Sequence, residues 1–274
     1  MKNVLITGVS SGIGKAVSDI YIEKGFKVIG IDKNICLNNN VLFFNCDITS
    51  TNELNNVVSY LKDNKINLDL IINIAGIHKM LSLIEADFSD IKKVIDINLL
   101  GTMQVIRVFH PFLVKKGRVI IVTSEVASFE PLPFNGIYSI SKIALESYAQ
   151  SLRQELNLLG QKVITFRPGA VETPLANNST FATMELADKT VLFKEQSKHF
   201  LNIVKKFSGK PIKPSKLALK IYRKSIKKRV KYTYKVHQNF GLMLLGLLPK
   251  RTQCFIIKML LNRKTKKVIY EKNN

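Results

Sequence analysis

A tyrosine and a lysine four residues apart could perform acid–base chemistry. Tyr138 and Lys142 lie in a helical pattern, so a helix places them on one face, one turn apart. A phenol has a pKa of about 10, and a nearby ammonium group favours the phenolate and lowers that pKa. Ser124, directly after the buried-strand run 119–122, supplies a hydroxyl that can hydrogen-bond the same substrate oxygen. Together they predict proton transfer to or from a carbonyl or an alcohol.

Such a pair alone is more often an exposed helix face, so other segments must supply support. A glycine-rich turn, TGVSSGIG at 7–14, lies between a predicted strand at 4–6 and a predicted helix that ends at Gly25. Gly8 permits a tight turn, Gly12 lets the backbone approach a pyrophosphate, and Gly14 permits close packing of helix on strand. The helix N-terminus then offers amide groups to the anion. This context favours a dinucleotide site over a ligand-free turn.

The next predicted strand, KVIGID, ends at Asp32. A carboxylate there can accept hydrogen bonds from the adenosine ribose hydroxyls and would repel a 2′-phosphate. Lys33 follows directly and would weaken that repulsion. We therefore expect NAD to be the preferred cofactor, with NADP as the alternative.

Strands and helices alternate along the first two thirds of the chain. Further strands are predicted at 41–44, 68–74, 119–122 and 162–169, and helices after Ser50, at 89–114 and at 138–159. This alternation predicts an α/β fold, a Rossmann-type doubly wound parallel sheet in a single domain. The motifs all fall at carboxyl ends of strands, so one crevice would hold them.

Composition excludes several classes of protein. The chain has 274 residues, of which 46% are hydrophobic, enough for a sizeable core. Its three cysteines are widely spaced and its four histidines are scattered, so we expect no disulfide framework, no metal site and a reducing compartment. The apolar start is too short for a signal peptide, and no apolar run reaches the roughly 18 residues of a membrane span. A cytoplasmic protein is predicted.

The charge is concentrated at the C-terminus. Residues 194–274 contain 23 Lys/Arg and 2 Asp/Glu, whereas residues 1–193 contain 19 and 18, which together give the net charge of +22. We therefore predict a core at 1–193 and a basic helical region at 194–274, with an amphipathic helix from Pro214. Apolar runs at 240–248 and 254–261 are flanked by cations at 250, 251, 263, 264, 266 and 267.

This basic, apolar region admits two interpretations. It suits the surface of an anionic membrane, which would make the protein peripheral on the inner face of that membrane. Alternatively, it caps the substrate site and forms a dimer surface, with its lysines simply solvated. Nucleic acid is not an expected partner, because no reader module is present.

The chain resembles the short-chain dehydrogenase/reductase family. TGVSSGIG, NIAG at 73–76, YSISK at 138–142 and the PG…T turn of Pro168, Gly169 and Thr173 match its motifs in order over about residues 1–175. The resemblance implies catalytic roles for Asn98, Ser124, Tyr138 and Lys142, with Thr123 and Ser128 as alternative hydroxyls. The cofactor-binding residues that it implies are Gly8, Ser10, Ser11, Gly12, Ile13, Gly14, Asp32, Asp47, Ile48, Asn73, Ala75, Gly76, Tyr138, Lys142, Pro168, Gly169, Val171 and Thr173.

The resemblance also implies an activity. Tyr138 would be the acid or base, and NAD(P) would exchange a hydride with an alcohol or a ketone. The C-terminal extension is similar to those of members that act on steroids, retinoids or fatty-chain compounds, so a lipophilic substrate is expected, as is a homodimer or homotetramer. The segment 175–193 is interpreted as a lid or as a surface loop. The alternative function is a dinucleotide-sensing or scaffold protein with little turnover.

Overall fold

The computed structural model describes residues 2–129, 131–174, 186–207 and 209–262. In this part of the chain, seven strands form one sheet in the order β3-β2-β1-β4-β5-β6-β7, with every neighbouring pair parallel. The strands are β1 (Asn3–Thr7), β2 (Lys27–Asp32), β3 (Val41–Asn45), β4 (Leu68–Asn73), β5 (Leu113–Val122), β6 (Lys162–Pro168) and β7 (Thr233–Val236). The predicted doubly wound parallel sheet is confirmed.

Helices cover both faces of this sheet. They are α1 (Gly12–Glu23), α2 (Thr51–Asp63), α3 (Phe88–Ile95), α4 (Thr102–Phe109), α5 (Gly136–Leu158), α6 (Lys194–Phe207), α7 (Pro214–Ser225), α8 (Phe240–Gly246) and α9 (Lys250–Leu261). Successive strand residues point to opposite faces, so Leu5 packs with α2, α4 and α5, whereas Val4 and Ile6 pack with α1 and α7. Burial on both faces explains the unbroken apolar runs in the strands.

A third, smaller apolar cluster lies beside the sheet. It joins the segment after β4 and the loop before α5 to α6 and α9 through Met80, Phe134, Leu186, Phe200 and Leu261. We call these five residues the cap cluster. Through it, the C-terminal region packs next to the residues that precede Tyr138.

Two predicted boundaries were wrong. The helix predicted at 89–114 ends at Phe109, because Pro111 falls in a 3-10 turn at His110–Phe112, and Leu113 already begins β5. The strand predicted at 119–122 is therefore the second half of a ten-residue strand.

The strand β7 was not predicted. It has only four residues, TYKV, within a lysine-rich stretch, and it pairs with β6. The sheet thus takes its last strand from beyond residue 193, although the proposed domain boundary there stays a prediction. Most of the predicted lid, residues 175–185, lies outside the described residues, as do the cations at 263–267. Among the described residues, no helix is both long and apolar enough to cross a membrane.

Candidate active site

The glycine turn after β1 has the backbone shape that its sequence predicts. Gly8 and Gly12 have φ angles of +81° and +53°, in the left-handed region that favours glycine. A Cβ at Gly14 would lie 1.9 Å from the carbonyl oxygen of Gly8. Any larger residue at this position would push the first turn of α1 away from the loop.

A cavity of about 330 Å³ lies next to this turn. It is found where β1 and β4 are neighbours and the chain connections leave in opposite directions, the usual ligand crevice of such sheets. The predicted cofactor residues that line it are Gly8, Ser10, Ser11, Gly12, Ile13, Gly14, Asp32, Asp47, Ile48, Ala75, Gly76 and Thr173. Lining residues that were not predicted are Ile31, Lys33, Asn34, Cys46, Ile74, Ile77, Ile97 and Pro174.

Asp32 fixes the glycine turn as well as facing the cavity. Its carboxylate accepts hydrogen bonds from the Ser10 amide at 3.0 Å and the Ser10 hydroxyl at 2.6 Å, and from the Asn34 amide at 2.9 Å. A negative charge is therefore held at the end of β2, with Lys33 beside it in the cavity wall. The glycine cradle and this carboxylate fit a dinucleotide.

Six predicted cofactor residues do not line the cavity: Tyr138 and Lys142, which are described below, and Asn73, Pro168, Gly169 and Val171. Asn73 is buried, and its amide atoms have no hydrogen-bond partner among the described residues. Pro168 ends β6, and the Gly169 amide donates to Val236 of β7 at 2.8 Å. Val171 forms an isolated parallel bridge with Ile212. The turn after β6 is thus packed against the C-terminal region, and cofactor contacts of these residues stay predictions.

The structure brings Tyr138, Lys142 and Ser124 together. The tyrosine and lysine lie one turn apart in α5, both side chains are buried, and the lysine Nζ is 5.7 Å from the centre of the tyrosine ring. The Ser124 hydroxyl lies next to the Tyr138 phenol, where it acts to lower the pKa of that phenol. The lysine Nζ also lies close to Gly76, a residue of the cavity wall, at 3.4 Å from the position of a Cβ built on that glycine.

The pKa of Tyr138 differs from the sequence-based expectation. We expected Lys142 to lower it, but it is raised to about 12, because burial raises it more than the Ser124 hydroxyl lowers it, and the carboxylate of Glu125 contributes a smaller increase. Burial also lowers the pKa of Lys142 to about 8. Desolvation therefore dominates both groups and disfavours the charged form of each.

Asn98 lies in a π-helical segment, Asp96–Gly101, that joins α3 to α4. Its amide accepts from the Ile77 amide at 2.8 Å and donates to the Ile77 carbonyl at 2.9 Å and to the Ser141 hydroxyl at 3.1 Å. The side chain thus joins the cavity wall to α5, one residue before Lys142. These hydrogen bonds explain why an asparagine, which is unfavourable in the middle of a helix, occurs at this position.

The alternative hydroxyls have other partners. Thr123 donates to Glu146 at 2.6 Å, and Ser128 accepts from Arg167 at 3.3 Å. Arg167 itself forms a half-buried ion pair with Glu146, at 2.8 Å. This pair ties the end of β6 to α5, and it leaves Ser124 as the hydroxyl next to Tyr138.

Sequence reasoning missed two side chains near Tyr138. The ring of His78 packs edge-on against the Tyr138 ring at 4.5 Å, and its Nε2 is 2.8 Å from Oδ1 of Asn135, at the start of α5. Glu125 accepts a 2.6 Å hydrogen bond from the Asn239 amide, and burial raises its pKa. His78 lies two residues after Gly76, and Glu125 directly follows Ser124. No spacing pattern in the sequence, however, predicts either contact.

A family model described as short chain dehydrogenase matches residues 2–183. The chain belongs to the short-chain dehydrogenase family. Because relatives named as oxidoreductases match it over most of its length, it is an oxidoreductase of that family. An uncharacterized oxidoreductase from Staphylococcus epidermidis is 28% identical over 214 residues, covering 72% of this chain and 93% of that protein.

A second relative has a more specific name. The NADPH-dependent 1-acyldihydroxyacetone phosphate reductase of Schizosaccharomyces pombe is 29% identical over 193 residues, covering 68% of this chain and 65% of that protein. Among solved structures, a short chain dehydrogenase family protein from Francisella tularensis superposes with a TM-score of 0.72 at 25% identity, over 86% of this chain and 97% of that one.

A short-chain dehydrogenase from Burkholderia cenocepacia, solved in complex with NADP, superposes with a TM-score of 0.70 at 21% identity, over 96% of this chain and 100% of that one. At that identity the likeness concerns the fold. A nicotinamide dinucleotide is the cofactor of this family, and the cavity beside the glycine turn is where this chain has room for it.

Proposed function

We propose that this short-chain dehydrogenase interconverts an alcohol and a ketone or aldehyde on a lipophilic substrate, with Tyr138 as the proton donor or acceptor. The observation that carries the proposal is the burial of Tyr138 and Lys142 together, with Ser124 next to the tyrosine and Gly76 of the cavity wall next to the lysine. Burying an ammonium and a phenol is unfavourable for folding, and such groups concentrate at functional sites.

Each side chain has a separate role. The nicotinamide, when bound, supplies or accepts the hydride. Tyr138 donates its phenolic proton to the substrate oxygen in reduction and accepts a proton in oxidation. Ser124 holds that oxygen by a hydrogen bond, and Lys142, whose Nζ lies close to Gly76, holds the ribose. Asn98 holds Ile77 and α5 together through its hydrogen bonds to Ile77 and Ser141.

We further propose that NAD is preferred. The Asp32 carboxylate supports this preference, because it would repel a 2′-phosphate. The names of the Schizosaccharomyces reductase and of the Burkholderia complex point to NADPH and NADP for those proteins. Lys33, in the cavity wall, is the residue through which this chain would accept NADP as the second choice.

The proposed substrate class is supported by apolar residues that lie near Tyr138 and His78 along the chain. Phe134 lies four residues before Tyr138, and Met80 lies two residues after His78. Both belong to the apolar cap cluster. A steroid, a retinoid or a fatty-chain ketone would match such surroundings. The Schizosaccharomyces relative is named for an acylated substrate. We also propose peripheral association of the basic C-terminal region with an anionic membrane, the compartment in which such substrates dissolve.

The test is turnover by wild type and by Tyr138→Phe. NADH and NADPH consumption is measured with steroid, retinoid and long-chain 3-oxo substrates, and cofactor binding is measured by calorimetry. We expect the wild type to turn over at least one substrate, and the variant to bind NADH normally while losing about 1000-fold or more in rate, typical of removing a catalytic acid. Near-normal turnover by the variant would refute the assignment. Cofactor binding without turnover by the wild type would favour the sensor alternative.

A further inference from the structure

We propose that α8 and α9 dock on an anionic lipid bilayer through one apolar surface, and that a membrane-dissolved substrate enters there. This inference rests on the lipophilic substrate proposed above. We define the C-terminal apolar surface by the exposed side chains of Phe240, Met243, Leu244, Leu247, Leu248, Phe255, Met259 and Leu260.

The exposure of these side chains is extensive. Leu247 is 76% exposed, Phe240 65%, Phe255 61% and Met259 58%, all within about twenty residues of chain. Single exposed apolar residues are ordinary, but a concentration of this kind marks an interaction site.

The spacing puts the exposed residues on one face of each helix. Phe240, Met243 and Leu244 follow the i, i+3, i+4 pattern of one face of α8, and Leu247 and Leu248 lie in the turn that directly follows this helix. In α9, Phe255 and Met259 are four apart, and Arg251 and Lys258 lie next to them on the same face. Apolar residues bordered by cations are typical of helices that lie in the plane of a membrane interface. The helix α9 is about 18 Å long and α8 is shorter, so neither is long enough to span a bilayer.

The other sides of the two helices hold them to the catalytic core. In α9, Leu261 is buried in the cap cluster, and Asn262 bonds Gln196 of α6 at 3.0 Å. At the start of α8, the Asn239 amide donates to Glu125, the residue after Ser124. The apolar surface is therefore attached directly to the cap and to the loop that carries the catalytic serine.

The charge distribution favours a bilayer over a second copy of the chain. Residues 209–262 contain 14 Lys/Arg and no Asp/Glu. A two-fold interface through α8 and α9 would bring these positive regions together without an acidic partner, which is unfavourable. An anionic lipid surface supplies both a medium for the apolar side chains and the counter-charge for Arg251 and Lys258.

The experiment is flotation of the full chain with vesicles of phosphatidylcholine, with and without phosphatidylserine, at low salt. The apolar variant is Leu247→Ser with Phe255→Ser and Met259→Ser, and its control changes Leu37, Leu158 and Leu159, which are also exposed, to serine. The charge variant is Arg251→Glu with Lys258→Glu, and its control is Lys227→Glu with Lys228→Glu, two exposed lysines after α7.

We expect wild type and both controls to float with the anionic vesicles, and both surface variants to bind about tenfold more weakly or worse. Turnover of a long-chain ketone in vesicles should fall in parallel, while turnover of a water-soluble ketone without vesicles stays within about twofold. The inference is overturned if a surface variant floats like wild type, or if the controls lose binding equally. It is also overturned if wild type is a dimer in solution that the apolar variant dissociates, because a second copy then covers the surface.

The two proposals fail separately. Vesicle binding that depends on the surface, in a protein that reduces no ketone, would refute the proposed activity and leave the docking surface standing. Turnover of soluble ketones without vesicle binding that depends on the surface would refute the docking surface and leave the proposed activity standing.

Discussion

Replacing Lys142 by methionine should stabilise the folded protein at neutral pH. The side chain is 5% exposed, and burial lowers its pKa from 10.5 to about 8. Each pKa unit corresponds to about 1.4 kcal/mol, so holding the ammonium in the folded state costs about 3 kcal/mol at pH 7. Methionine has a similar length and no charge, so it fills the same space without that cost. We expect a free energy of unfolding that is higher by about 2 to 3 kcal/mol.

The pH dependence of this gain has a definite sign. Between the folded pKa of about 8 and the unfolded value of 10.5, the unfolded chain binds the proton that the folded chain has lost. Wild-type stability therefore increases with pH across this interval, and the advantage of Lys142→Met should fall to about half or less of its value at pH 7 by about pH 9.5. Tyr138 acts in the opposite direction only above its unfolded pKa of 10, because its folded pKa is raised to about 12.

Urea denaturation followed by circular dichroism, at pH 7 and 9.5, measures both quantities. Lys116→Met is the matched control, because Lys116 is exposed in β5, and its free energy of unfolding should change by less than about 0.5 kcal/mol. The reasoning is refuted if Lys142→Met is less stable than wild type at pH 7, since the ammonium would then be stabilised in the folded protein. The variant should also lose turnover.

Three further predictions concern the cavity. Asp32→Asn removes the charge that would repel a 2′-phosphate, so the ratio of NADP to NAD affinity, measured by calorimetry, should rise about tenfold or more; an unchanged ratio would contradict the role of Asp32. Gly14→Ala places a Cβ against the Gly8 carbonyl, so denaturation should show a loss of about 1 to 3 kcal/mol and NADH should bind more weakly. Asn98→Ala leaves the Ile77 amide and carbonyl without their partner, so the free energy of unfolding should fall by about 2 to 4 kcal/mol, against less than about 1 for the exposed Asn64→Ala; equal losses would contradict the account.

The sequence predicted the parts of the site whose geometry is local. The glycine turn, the Tyr138–Lys142 pair and Asp32 each depend on one turn, one helix face or one strand end, and their spacing carries that information. Burial on both faces of the sheet gives the strands unbroken apolar runs, which likewise make them recognisable.

Contacts between distant segments were not predictable in this way. The strand β7 joins the sheet because Thr233–Val236 meets β6 in space, and a run of four residues within a lysine-rich stretch is too short to be recognised as a strand from the sequence. The packing of His78 on Tyr138 joins residues 60 apart, and the pKa of Tyr138 depends on the total burial of the ring. Such features follow from tertiary packing, which a single sequence does not specify position by position.

The π-helical segment Asp96–Gly101 has a consequence for insertions and deletions. A residue added to a helix turns everything beyond it by about 100°. The wider π-helical turn absorbs one extra residue, so α3 and α4 keep nearly the phase of a regular helix one residue shorter. Removing Leu99 would therefore leave α3 and α4 almost in place, with the ion pair of Asp90 and Lys79 intact, but it would turn Asn98 away from Ile77. Adding a residue to the regular part of either helix would instead rotate one helix against the other.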